Sequence, residues 1–240
     1  MLAFSLIFDS HFHLAEEKLN EIPLNYNGCI SCASEMEWKT AEKFSCVKTY
    51  GIHPWKPELK KLDFLLSLLE SGKLDGIGEA GLDFFTPELK SSAVLQKKCW
   101  NAQLELAAEF NKTLTVHCCK AFEEILRDSE KLSRLKGVCF HGFSGSKEQA
   151  FEILRKIPDA YFSFGAVLLK KNRKASECLM SLPCDHILFE TDAAGTSVLP
   201  EIYDAAWSIV KERRVFESQE EFAENILKNW KNFLGRKIIL

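Results

Sequence analysis

The sequence predicts an α/β protein of the TIM type, a (β/α)8 barrel formed as a single domain over residues 1–240. Three observations predict it. Eight short apolar, β-prone runs recur along the chain. Helix-patterned stretches separate most of them, giving the repeat of roughly twenty to forty residues that βα units show. The Gly-rich phosphate loop that would follow the first strand of a doubly wound sheet is missing. No Ser/Gly linker, low-complexity tract or charge block divides the chain, whose 240 residues suffice for one large core.

The elements follow in order. SLIFDSH places an apolar run before Asp9, His11 and His13, which share one face because a strand repeats every second residue. Two imidazoles there are either one edge of a metal site or a loop cap beside a solvated ring. GCISCAS and CVKTYGIH are the second and third strands; the CxxC of Cys29 and Cys32 reads as buried small residues, because no second CxxC completes a zinc knuckle. KPELKKLDFLLSLLESG has a Pro near its start, apolar positions at helical spacing and a Gly to end it. LDGIGEAG is the fourth strand, and PELKSSAVLQKKCWNAQLELAAEFNK repeats the helical design over more turns. LTVHC and GVCFHGF are the fifth and sixth strands, and the helix SKEQAFEILRKIPD opens on a capping-box-like Ser146 and ends at Pro158. AYFSFG and HILFETD complete the strands, and SQEEFAENILKNWKNFLG is a last helix from Ser218 to Gly235. All eight strands read as continuous apolar runs, the pattern of strands buried on both faces.

Composition narrows the function. The chain is 46% hydrophobic and 27% charged, with a net charge of −3. No global positive field is present, which argues against a protein that coats DNA but not against an enzyme that handles phosphate through metal ions. Nine cysteines without a framework, and a start that lacks a basic leader region, predict reduced thiols and a cytoplasmic location. No run approaches the length of a bilayer span, so no membrane association is expected.

Chemistry in such barrels sits at the C-terminal ends of the strands. His11 and His13 end the first strand, His53 the third, Glu79 the fourth, His117 the fifth, His141 the sixth and Asp192 the eighth. The remaining histidine, His186, begins the eighth strand on the opposite rim and is expected to be structural. Five imidazoles and two carboxylates converging on one mouth are hard to bury unless they bind something. Their donor set suits Zn²⁺, Mn²⁺ or, at a more oxygen-rich position, Mg²⁺. Two divalent ions sharing a bridging carboxylate use these ligands more economically than one.

DSHFHL, GIHP, GEAGLDFF, the helix with Gln96 and Gln103, TVHCC, HGFSG and ETDA occur here in the order found in the TatD family of metal-dependent DNases. The chain resembles that family from about Phe8 to ENILKNWKNFLG, essentially its whole length. The resemblance implies one metal on His11, His13 and Asp192 and another on His117 and His141, with Glu79 bridging. It implies hydrolysis of DNA phosphodiesters, often from a 3′ end, with single-stranded DNA or 3′ ends as substrate and no obligate protein partner. Asp192 would orient a metal-activated water and act as its base, so Asp192 and Glu79 are the catalytic candidates. Asp9 and Asp83 are expected to steady imidazoles or backbone amides, or else to make ordinary loop hydrogen bonds.

Candidate substrate contacts are His53, Trp55, Lys120, Lys170 and Lys171, with Phe84, Phe85, Arg173 and Lys174 beside them. KERR at 211–214 is expected to be solvated. Cys119 stands where many family members carry Arg, and the segment after Asp192 is altered, so substrate choice is less constrained than reaction class. Two rivals are an amidohydrolase acting on a cyclic amide or lactone, and a metal-stabilised interaction module. The first frequently bridges its metals through a carboxylated Lys, whereas Glu79 holds the strand-four position here; the second would be favoured by a lost ligand, and none is lost.

Overall fold

The structure, a computed structural model, describes residues 7–192 and 197–235. Eight parallel strands lie in sequence order: β1 (Asp9–Phe12), β2 (Gly28–Cys32), β3 (Val47–Tyr50), β4 (Gly76–Asp83), β5 (Thr113–Cys119), β6 (Val138–Phe140), β7 (Ala160–Phe164) and β8 (Ile187–Phe189). The helices are α1 (Glu35–Ala41), α2 (Lys61–Glu70), α3 (Pro87–Ser91), α4 (Ala93–Glu109) and α5 (Phe122–Leu126). They continue as α6 (Ser129–Leu132), α7 (Lys147–Lys156), α8 (Arg173–Ser181), α9 (Leu199–Val210) and α10 (Gln219–Leu234). This is the expected (β/α)8 barrel, with all eight strand segments present. GCISC in β2 and GIGEAGLD in β4 are buried at every position, so Cys29 and Cys32 are packing residues; all nine cysteines are free thiols.

The ladder runs from β1 through to β8, and side chains draw its two edges together. The Asp9 carboxylate accepts from Thr191 N at 3.0 Å and Thr191 Oγ1 at 2.7 Å. Asp192 N donates to His11 O at 3.1 Å, and the Tyr203 hydroxyl bonds both backbone groups of Phe8. Asp9 is wholly buried, and burial pushes its carboxyl up to about 7 against the lowering effect of the Thr191 hydrogen bonds. It thus steadies backbone amides, as expected, but those amides are the barrel seam.

Two apolar layers hold the barrel. The larger lies between strands and helices and includes Ile30, Ile77, Leu114, Phe140, Phe162 and Phe189. The smaller joins Phe8, Cys29, Cys139 and Leu188 to Trp230 and Phe233 of α10, with the Phe8 and Trp230 rings stacked at 4.2 Å. A side chain at Gly137, just before β6, would meet Phe233 O, so the end of α10 lies against the strand starts and leaves the opposite mouth for chemistry.

The helix foreseen over residues 87–112 is broken. At Ser92 the backbone leaves helical geometry, its hydroxyl donates to Leu89 O, and Gln96 Nε2 donates to that same hydroxyl. Serine competes with the helix ladder in this way through local side-chain bonds. The reorientation lets α4 carry two buried glutamines into the barrel. Gln96 bonds the backbone N and O of Asp83, and Gln103 bonds those of Ile52, fixing the ends of β4 and of the segment after β3. At α7 the capping box is complete, with Ser146 Oγ accepting from Gln149 N. Arg213, expected in solvent, instead donates to Leu182 O at 2.7 Å, satisfying a carbonyl where α8 ends.

Candidate metal centre

Glu79 lies at the centre of the mouth, and its two oxygens divide the imidazoles between them. Oε1 is 2.7 Å from His11 Nε2 and 3.1 Å from His13 Nε2. Oε2 is 2.8 Å from His53 Nε2, 3.4 Å from His141 Nε2 and 3.6 Å from His117 Nδ1. Asp192 joins the first group, with Oδ1 3.6 Å from His11 Nε2 and 3.7 Å from His13 Nε2. A shift in the β4–β5 register between Ile77 and Ala80 brackets Glu79; such irregularities re-aim a side chain. Gly81 then lets the two strands close, since a Cβ there would collide with His117 O.

Electrostatics follow from that crowding. Burial alone would raise the Glu79 carboxyl, but the imidazoles of His141 and His11, with hydrogen bonds from His11 and His117, hold it well below the usual carboxylate range. Burial disfavours a charged His13, yet its hydrogen bond to Glu79 and the charges of Glu79 and Asp192 bring it up to about 9. The protein atoms do not satisfy one another. Nε2 of His11 and of His13 lie 3.2 Å apart, as do Nδ1 of His117 and Nε2 of His141. Nδ1 of His11 and of His141 are buried without a hydrogen-bond partner. Imidazole lone pairs gathered this closely about one carboxylate fit cations placed between them, and the nitrogen-rich set fits Zn²⁺ or Mn²⁺ better than Mg²⁺. Three compact donor groups are present among the described residues: His11, His13, Glu79 and Asp192; His53, Glu79 and His117; and His141, Glu190 and Asp192.

The six ligands expected from the sequence therefore gather, and two further residues join them. His53, expected on the substrate side, stands with Glu79 and His117. Glu190 was not foreseen: it is wholly buried, accepts from Gly142 N, and its Oε1 is 3.6 Å from His141 Nδ1 while Oε2 has no partner. Burial pushes its carboxyl up to about 8, with Asp192 adding to the rise and His11 opposing it. The alternate-residue rule that flagged His11 and His13 would have found it, since Glu190 and Asp192 are two apart at the end of β8.

Asp83 orients His117. Its Oδ2 accepts from His117 Nε2 at 3.0 Å and from Trp55 Nε1 at 2.8 Å, and its Oδ1 accepts from Phe85 N at 2.8 Å. The imidazole is thereby turned so that Nδ1 faces the cluster. His186 lies away from this mouth with Nδ1 2.8 Å from Ala160 O, a structural role as expected.

A cavity of about 760 Å³ opens beside the cluster on the β1–β3 side, with Trp55 on its wall. A second, of about 310 Å³, opens on the β5–β7 side, where Lys120 and Lys174 reach the wall. Lys170 and Lys171 are exposed on the turn after β7 and line neither cavity. Part of the altered loop after Asp192, residues 193–196, lies outside the described residues.

Comparison with known proteins bears on the family and the fold. A family model described as TatD related DNase matches residues 8–235. The chain is 30% identical over 169 residues to the 3′-5′ ssDNA/RNA exonuclease TatD of Citrobacter koseri, covering 67% of this chain and 63% of that protein. It is 29% identical over 187 residues to a 3′-5′ RNA nuclease of Homo sapiens, covering 72% of this chain and 24% of the other. The matched stretch thus spans less than two thirds of these relatives. Among solved structures, a TatD homologue from Escherichia coli superposes with a TM-score of 0.83 at 18% identity, covering 98% of this chain and 100% of that one.

Proposed function

This chain belongs to the TatD related DNase family, and on that premise we propose that it is a divalent-metal-dependent phosphodiesterase that hydrolyses DNA exonucleolytically. The observation that carries the reading is the division of five imidazoles between the two oxygens of Glu79, a carboxylate suited to bridge two cations. His11, His13 and Asp192 would hold one ion, and His117 and His141, with His53 beside them, the other. Two such ions (Zn, Mn or Mg), when bound, supply Lewis acidity at the phosphoryl oxygens and lower the pKa of a nearby water.

The side chains do the remainder. Asp192, 45% exposed, is the least buried carboxylate of the cluster and so the one able to meet water from solvent, orient it and take its proton. Glu79 stays ionised because the imidazoles surround it. Asp83 holds His117 in one tautomer. Stacking on an exposed ring requires an unpaired base, so Trp55 supports a preference for single strands or 3′ ends. The free thiols support a cytoplasmic location, and the reading calls for no protein partner. Glu79, not a lysine, stands between the five imidazoles, which argues against the carboxylated-lysine bridge of a cyclic-amide hydrolase.

The test is a metal-reconstituted assay on single- and double-stranded DNA against a panel of cyclic amides, with Asp192→Asn as control. DNA turnover that vanishes in Asp192→Asn while the circular dichroism spectrum is kept is the expected result. Hydrolysis of the cyclic amides alone would overturn the nuclease reading.

A further inference from the structure

Trp55 and Phe85 are large aromatic side chains left 62% and 66% exposed, one on the wall of each cavity beside the metal cluster. Both hang from Asp83: the Trp55 indole N–H and the Phe85 backbone N–H donate to its two oxygens, so the indole is fixed in place although it faces solvent. The indole held in this way presents its π face at little further ordering cost, while Phe85 is anchored through its backbone alone.

The two cavities differ in charge. Apart from the metal-cluster residues, the wall near Trp55 balances Glu37 and Glu58 against Lys56 and Lys61. Two of these groups are already engaged, since Lys61 Nζ donates to Ala33 O at 3.1 Å and Glu37 accepts from Ala33 N at 2.6 Å. The wall near Phe85 carries Lys120 and Lys174 and no carboxylate. Neither lysine is in ion-pair contact with a carboxylate that lines the cavity, although Glu148 at the start of α7 feels the charge of Lys174. Lys120 is held at φ 53°, a left-handed conformation that residues other than Gly adopt at a cost.

We propose that the two cavities are successive nucleotide subsites of one track across the metal centre. The neutral Trp55 cavity takes the single terminal nucleoside, and the cationic Phe85 cavity takes the continuing polynucleotide. The inference rests on the nuclease reading above. Its physical basis is a count of phosphates. A terminal nucleoside brings no phosphate beyond the one at the metals, so a charge-balanced pocket with a stacking face suffices. Each further nucleotide brings another anion and needs cations on the far side.

The experiment measures binding to a thymidine dinucleotide and an octanucleotide over a range of salt, in Mn²⁺, in an Asp192→Asn background so that no strand is cut. Removing Lys120 and Lys174 together should lower the slope of log affinity against log salt by about 1.4 for the octanucleotide, two phosphate contacts' worth, and leave the dinucleotide slope unchanged. Trp55→Ala should weaken both ligands by roughly five- to a hundredfold, with Trp55→Phe restoring most of the loss. Lys136→Ala, beside the start of β6, serves as the control and should change neither slope. KM for cleavage by protein with Asp192 intact should follow the same order. An octanucleotide slope untouched by the double lysine variant, with cleavage of DNA otherwise intact, would overturn the division into subsites and leave the nuclease reading standing. Failure of the metal-loaded protein to bind or cleave any oligonucleotide would remove both.

Discussion

Asp9 and Asp192, two carboxylates meeting at the same seam, are put to opposite uses by burial. Asp9 has no solvent and four donors around it: Thr191 N and Oγ1, His11 N and the Tyr26 hydroxyl. Replacing it by Ala leaves buried donors at Thr191 unpaired, which costs about 2–4 kcal/mol. Urea denaturation of Asp9→Ala should show that loss, with Asp9→Asn losing less; an unchanged midpoint would mean that the seam does not depend on this residue. Asp192 is open to solvent and helps define the first donor group, so Asp192→Asn should remove turnover while leaving the unfolding free energy from urea denaturation within about 0.5 kcal/mol of the parent in metal-free protein.

Among the elements, β4 carries the tightest geometric demand. Every residue from Gly76 to Asp83 is buried, and the strand must approach β5 closely at Gly81, where φ is 155°. A methyl group there would overlap His117 O, so Gly81→Ala should destabilise the protein by about 2 kcal/mol or more and weaken metal affinity by displacing His117. Thermal unfolding and a metal titration read the two effects, and their appearance in one variant ties the strand spacing to the site. By contrast Ser146→Ala should cost about 1 kcal/mol through loss of the cap on α7 and leave metal affinity alone, because that helix start holds no ligand. The strands and the termini of α7 and α10 could be read from apolar runs and capping residues. The break between α3 and α4 could not, because Ser92 bonds local backbone and side-chain groups that helical periodicity does not register.

For the whole molecule, seven ionisable side chains and Glu190 are drawn to one end of a barrel whose other end α10 packs with apolar rings. Cations that bind only this gathered arrangement stabilise the fold by mass action. At about a hundredfold excess over the dissociation constant one ion contributes about 2.7 kcal/mol, so chelation should lower Tm by roughly 5–10 °C for a chain of this size. Calorimetry with and without chelator checks this, and a Tm indifferent to metal would contradict the centre described here.

The sequence by itself determined the barrel, since eight buried parallel strands must read as apolar runs between helices. It also brought seven side chains to the mouth, since the ends of those runs mark it, and the resemblance to the TatD family singled out His11, His13, Glu79, His117, His141 and Asp192 among them as ligands. Only the tertiary structure decided how they meet: that His53 shares an oxygen of Glu79, that Glu190 lies beneath His141, that Asp9 fastens the seam, and that Lys120 and Lys174, unlike Lys170 and Lys171, reach a cavity. Periodicity fixes which face of a strand a residue occupies, but distances across a barrel depend on register, bulges and the tilt of neighbouring strands, and those are set by contacts between segments remote in sequence.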